Sequence, residues 1–276
     1  GKGIKRRKRK YNIPVKKMDN ENKDNKSSFL LKIESIRKKS HAFSIFLKSN
    51  DIIVAVNNEL FTHGENALND ELREIQKING KIIITIFRDN IFYDVIVRRS
   101  LGCKFISTSQ SENEEIQSNF SKKKIYDLEE LKEYTILRDL RNNFDCIEKT
   151  PSLAAGIFPP LWLAYQQKWW VLALFSTFSI LLFSVNIWLF MIGWLILSIY
   201  CYKAQTNLLF SFALLSGKAF TMQLATPSIE LTHEMVRSLY PKSKFRYSKL
   251  ENPISEEIEE NEKVEKNITE NNNALV

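Results

Sequence analysis

WWVLALFSTFSILLFSVNIWLFMIGWLILSIYC, residues Trp169 to Cys201, runs for 33 positions without a charged side chain. A bilayer core of about 30 Å takes about 20 helical residues, so a run of this kind reads as membrane-spanning. It is too long for one upright span and short for two. Asn186 lies at its midpoint, and we read a tight hairpin of helices over 169–185 and 186–202. The mean hydropathy of the 276 residues is only −0.25, so a membrane part of this size is a minority of the chain.

The flanks of the run extend this reading to a membrane domain over 151–220. Residues 152–165, SLAAGIFPPLWLAY, are apolar but too short to span alone. Pro159-Pro160 would break or kink a helix there, so 152–165 is expected to be re-entrant or interfacial. Trp162, Tyr165, Lys168, Trp169, Trp170 and Lys203 are the expected membrane-interface residues, by the enrichment of aromatic and basic side chains at headgroup level. Lys149, Lys168, Lys203 and Lys218 lie around the open end of the hairpin, and the Asn186 end has no charge nearby. The positive-inside rule then places both soluble arms in the cytoplasm. The expected location is the cytoplasmic membrane.

The net charge of +8 hides an asymmetry. Residues 1–20 hold nine Lys/Arg and one acid; residues 251–276 hold eight Glu and two Lys. Such blocks read as solvated tails, disordered basic over 1–27 and disordered acidic over 251–276. Anionic lipid is a second possible partner of residues 2–17, and nucleic acid is a third, disfavoured one. No secretory signal is read in residues 1–28, which lack an apolar core segment. The chain opens on Gly1, which leaves room for an upstream segment. Cys103, Cys146 and Cys201 are odd in number and widely spaced, which argues against a disulfide framework or a zinc site.

Between the tail and the membrane region, residues 28–105 alternate strand and helix signals. Phe29–Ile36, Ile52–Val56, Lys81–Phe87 and Phe92–Val97 read as strands. Leu68, Leu72 and Ile75 mark one face of a helix over Glu65–Ile78, ended by Asn79-Gly80. Arg88-Asp89-Asn90 reads as the turn between the last two strands. Residues 106–150 read as a polar connector, and 221–250 as a mixed cytoplasmic segment.

Leu47-Lys48-Ser49-Asn50-Asp51-Ile52-Ile53-Val54-Ala55-Val56-Asn57-Asn58 resembles the Leu-Lys-x-Gly-Asp-x-Ile-x-x-Val-Asn-Gly pattern of bacterial PDZ domains. Ser40-His41-Ala42 stands where that family has Ser-Pro-Ala, and the helix and two later strands follow in family order. Asn50 and Asn58 replace glycines, and Asn tolerates the left-handed conformation those turns require. The resemblance implies a small α+β barrel or sandwich that takes a protein C-terminus or an extended peptide as an added strand. In a permuted domain the carboxylate loop is Leu101-Gly102-Cys103-Lys104-Phe105, and the groove lies between it and the helix face of Leu68 and Leu72. The competing reading makes Leu101-Gly102 a plain turn and the two leucines core. Residues 150–240 are similar to a small bacterial membrane domain of unknown function. The likeness rests on Phe158-Pro159-Pro160-Leu161-Trp162 and the aromatic pair Trp169-Trp170.

Catalytic signals are weak. His233-Glu234-Met235-Val236-Arg237 starts like a zinc-protease helix, but an arginine stands where the second histidine is needed. His41 and His63 have no partner at ligand spacing. The hairpin carries none of the intramembrane charges that mark transport paths. The sequence therefore points to a non-catalytic, membrane-anchored peptide-binding adapter with no cofactor or metal. An accessory part of a membrane protease or secretion system, and a purely structural membrane protein, are the alternatives.

Overall fold

The computed structural model describes residues 29–251 and 253. The basic tail and nearly all of the acidic tail lie outside them. The first half runs β1 (Leu31–Ile36), α1 (His41–Ser44), β2 (Ile52–Val56), β3 (Glu59–Leu60), α2 (Gly64–Lys77), β4 (Ile82–Arg88), β5 (Ile91–Val97) and β6 (Cys103–Ser107). The second half runs α3 (Gln110–Phe120), β7 (Lys132–Arg138), β8 (Asn143–Glu148), α4 (Ala154–Ile157), α5 (Pro159–Tyr165), α6 (Trp169–Val185), α7 (Ile187–Leu215), β9 (Ala219–Thr226), α8 (Ile229–Leu239) and β10 (Lys244–Phe245).

The local reasons are familiar ones. Asn50 and Asn58 adopt φ of 72° and 69°, the left-handed values that glycine would otherwise supply. Asp89 and Asn90, with φ of 49° and 63°, form the two-residue turn of the β4–β5 hairpin. Ser40 caps α1 through a hydrogen bond from the Phe43 amide.

The strands join in one mixed, ten-stranded sheet of order β10-β8-β7-β9-β5-β4-β2-β1-β6, with β3 beside β2. This corrects the expectation of a separate small barrel or sandwich over 28–105. Strand β5 is no edge: Asp94 pairs with Ala225 of β9. Leu31, Ile53, Leu68 and Ile84 share one core cluster with Tyr134, Ile136, Leu224 and Val236. The alternation of β2 serves both faces of the sheet. Ile53 joins that core, while Ile52 and Val54 pack with Ile116 of α3 on the other side.

Residues 106–150 are likewise not a connector. They supply α3, β7 and β8, and 221–250 supplies most of β9, then α8 and β10. The α3 start is held by a reciprocal Ser109–Glu112 capping box. Burial explains the outcome for β7, where Tyr134 to Leu137 are all buried despite the polar ends of the strand.

A buried ion pair ties the first half together. Arg88 donates from Nε and Nη2 to the two Asp51 carboxylate oxygens, both at 2.6 Å, and both side chains are buried. The Lys48 amide donates to the same carboxylate at 2.7 Å. The pair ties the turn before β2 to the end of β4. Removing one partner of such a pair strands a buried charge, which costs more than the pair contributes. We expect Arg88→Met to lower stability by about 3 kcal/mol, and Asp51→Asn in the same background to recover part of that loss. Denaturant titration of the single and double variants checks this; equal stability of wild type and Arg88→Met would contradict it.

Candidate functional site

Three features carry functional potential: the helical hairpin, the β6 edge and a cleft at the hairpin base. Helices α4 to α7 form a single insertion between β8 and β9, the two neighbours of β7. Helix α6 covers Trp169–Val185 as expected from the sequence. Helix α7 begins after Asn186, whose side chain accepts the Trp188 amide at 2.8 Å, but it runs on to Leu215 rather than stopping at 202. Its buried residues are Ser198, Cys201, Gln205, Leu209 and Ala213, a stripe at steps of three and four that continues past Lys203. That stripe seats the lower part of α7, and the Ser152 amide donates to the buried Gln205 Oε1 at 2.8 Å.

Above this seat the hairpin is bare. Between Trp169 and Tyr202, eighteen large apolar side chains are exposed, including Trp188 at 73% and Val185 at 75%. Only 11% of the most apolar window of α7 is buried. A core helix of a water-soluble domain is buried over most of its surface; this helix is not.

The expected interface residues divide. Tyr165, Trp169 and Trp170 are exposed. Lys203 is exposed and Lys168 half-buried. Trp162 is a correction: it is only 3% exposed, packed with Ala155, Leu163, Phe175 and Leu209. The reason is that Pro159 and Pro160 start α5 instead of kinking a longer helix, and α5 then folds down onto α6. Residues 152–165 thus form two short helices against the hairpin base. Gly156 comes so near Tyr202 that a Cβ would lie 3.0 Å from the Tyr202 Cβ.

The second feature is β6, the end strand of the sheet. The Thr108 amide donates to the Leu30 carbonyl at 3.1 Å, so the alternation of the antiparallel ladder turns the Phe105 N–H and C=O away from β1. Lys104 and Ile106 are exposed and Phe105 is half-buried. Leu101 and Cys103 are buried; burial, with Asp51 and then Glu65 nearby, pushes the Cys103 thiol up to about 12. Leu101 and Cys103 share a core cluster with Leu68 and Leu72 of α2, and Phe105 packs against that cluster. Leu68 and Leu72 are fully buried in the core, and the half-buried Ala67 and Ile75 flank them on α2.

Gly102 sits at φ 72°, and a Cβ there would lie 2.9 Å from the Ser40 Cβ. The Leu101 carbonyl accepts from the Ala42 amide and the Gly102 carbonyl from the Arg37 amide, so the loop carbonyls point inward. His41, in this same segment, is held down to about 4 by burial first and then by Arg99, Arg98 and Lys149. It is neutral near pH 7.

The third feature is a cleft of ≈ 810 Å³ at the hairpin base, bounded by β8, the α5–α6 turn and the segment through β10. It was not legible in the sequence, because its walls come from five separate stretches of chain. Lys168, Lys218, Lys244 and Arg246 line it, with Asp139 and Asp145. Lys218 pairs with Asp145 at 2.7 Å. His233 lies at its edge, buried against the Phe245 ring at 4.3 Å between centroids.

No protein-family model matches this chain, and no curated protein matches it.

The Gly102 geometry yields a direct test. A side chain at a left-handed position costs about 1–2 kcal/mol before any clash is counted. Gly102→Ala is therefore expected to lose at least about 1 kcal/mol of stability, and Gly102→Val more, by denaturant titration. A neutral effect of Gly102→Val would show that the loop is not held as described.

Proposed function

We propose that this chain is a membrane-anchored adapter: the α6–α7 hairpin sits in a bilayer, and the β6 edge takes an extended peptide or a protein C-terminus as an added strand. The observation that carries the anchor is the bare, uncharged hairpin. Moving a large apolar side chain from water to hydrocarbon is favourable by about 1.5–3 kcal/mol. Even halved for partial exposure, eighteen of them give a driving force of about 14–27 kcal/mol. That matches or exceeds the entire stability of a typical domain, about 5–15 kcal/mol.

Two details support the bilayer as the covering. Helix α6, with 17 residues, is about 25 Å long at 1.5 Å per residue, close to the hydrocarbon thickness. The polar Asn186 at its far end is already engaged with the Trp188 amide, which lowers the cost of carrying it deep. Cations then gather at the other end: Lys149, Lys168, Lys203 and Lys218 stand around the base. The sheet ties the segments before and after the hairpin together, so both arms share one side, and the basic residues favour the cytoplasmic side of a bacterial inner membrane.

The adapter role rests on β6. An end strand with an outward-facing N–H and C=O at Phe105, an adjacent helix and the left-handed Gly102 turn fit strand addition. This reading keeps the PDZ resemblance as an analogy of groove layout. Leu68 and Leu72 then serve as the floor beneath the groove, with Ala67 and Phe105 nearer the ligand. The accessory role in a protease or secretion system is the same binding chemistry with a catalytic partner elsewhere.

Two measurements test the proposal. Full-length protein should stay with membranes through alkaline carbonate extraction, and Ile192→Arg together with Leu195→Arg should release it, since each arginine near mid-bilayer costs about 2.5–3.5 kcal/mol on insertion scales. Release of the wild type would remove the anchor. For the edge, a C-terminal peptide library displayed to the reconstituted protein should yield binders that Phe105→Pro weakens at least tenfold, by loss of the outward N–H. A library without binders would leave the structural role in place of the adapter.

A further inference from the structure

The cleft at the hairpin base has a charge pattern that neither the anchor nor the β6 edge uses. Four cationic side chains face it against two carboxylates. The carboxylates are already committed. Asp145 is paired with Lys218 at 2.7 Å. Asp139 accepts from the Arg141 and Asn143 amides at 2.8 Å each and from the Asn143 side chain at 2.7 Å; burial would raise its carboxyl, but these bonds, with Lys218 nearby, hold it below the usual range. Lys168, Lys244 and Arg246 are left facing a shared space.

Lys168 is the most enclosed of the three. Burial comes first, followed by the pull of Asp145 in the opposite sense and the repulsion of Lys218 and Arg246; together they hold the Lys168 ammonium below its ordinary range. A group in this position gains from an added negative charge. Lys168 is also the residue before α6, and no side chain caps the first turn of that 17-residue helix. The Gln167 Oε1 atom is buried without a partner in the same turn, at φ 56°. An amide turned over at that position would offer N–H instead.

The place of the cleft identifies the anion. Gln166, Gln167 and Lys168 line it, and the exposed Tyr165 on one side and Trp169 and Trp170 on the other bracket them. Those aromatic side chains have the headgroup-level character of a membrane interface. Basic pockets at that depth hold lipid phosphates. We propose that the cleft is a binding site for a phosphate-bearing headgroup of an anionic phospholipid, held by Lys168, Lys244 and Arg246. The proposal rests on the membrane reading above. Lys218 stays with Asp145 and shapes the wall. A lipid held here by its headgroup would lay its chains along α6, so the site would fix the tilt of the sheet against the membrane as well as its attachment.

The test uses full-length protein in nanodiscs of phosphatidylcholine alone or with phosphatidylglycerol, and counts retained lipid by native mass spectrometry. Incorporation into the phosphatidylcholine disc reports the anchor; failure at that step sinks the membrane reading itself, and this site with it. With both lipids present, the wild type should retain phosphatidylglycerol over phosphatidylcholine by about tenfold. Lys168→Gln with Arg246→Gln should abolish that preference while leaving incorporation unchanged. Lys8→Gln with Lys10→Gln, in the basic tail, should leave the preference intact. An equal preference in the wild type and the cleft variant would overturn the site. Loss of the preference in the tail variant alone would assign lipid selection to the tail and overturn it as well. Displacement of the lipid by millimolar inorganic phosphate would show that the cleft takes soluble phosphate compounds, against the lipid assignment.

Discussion

Strand β7 holds β8 on one edge and β9 on the other, and the chain between those two neighbours is the apolar hairpin. This is the constraint on which the rest of the molecule depends. A hairpin whose ends are both hydrogen-bonded into one sheet cannot place those ends far apart. It must leave the sheet, turn at Asn186 and come back. The sheet in turn depends on the return, because β9 bridges the two halves: Ala225 faces Asp94 of β5, while the same strand runs along β7. Without β9, the first-half core around Leu68, Leu72 and Ile84 loses its continuation into Tyr134, Ile136 and Leu224.

The base of the hairpin is where its apolar surface meets the sheet, and its chemistry is mixed accordingly. Gln205, buried in the α7 stripe, receives the Ser152 amide, and Gly156 lets α4 approach Tyr202 closely. Trp162 fills the space beneath, with Phe175 and Leu209. Around this plug lie two basic depressions. One contains Lys168, Lys244 and Arg246; the other contains Lys81, Arg98 and Lys149, with Glu133 ion-paired to both Arg98 and Lys81. Cations at the rim of an apolar hairpin fit a negatively charged leaflet surface.

Much of this was legible in the sequence where the signal is local. The uncharged run gave α6 to the residue, with Asn186 as its end, because charge and helix propensity are properties of neighbouring positions. Asn50 and Asn58 could be placed in left-handed turns because few other residues tolerate them. Pairing across long separations was not legible. Nothing near Asp94 reports that its partner is Ala225, and the first half therefore read as a closed unit. The end of α7 was misplaced for a different reason. Lys203 ends the apolar run but not the helix, whose stripe of Gln205, Leu209 and Ala213 continues in register. Trp162 beside an apolar run reads equally well as lipid-facing or core, and only the packing of α5 decides it. The helix α3 had a readable capping box in Ser109 and Glu112 that composition alone obscured. Of the candidate groove, the sequence supplied the residues of β6 and left Leu68 and Leu72 open between groove and core; their full burial puts them in the core.

Sidedness is the most direct measurement of the account. Single cysteines at the exposed Lys104 and Lys249, and one replacing Asn186, can be probed with a membrane-impermeant thiol reagent in sealed, oriented vesicles. Because the sheet holds both flanks of the hairpin, the account predicts that positions 104 and 249 react from the same face and are protected together from the other, with position 186 never sharing their pattern. Reaction of positions 104 and 249 from opposite faces would contradict it, since no hairpin returning to β7 can put them there.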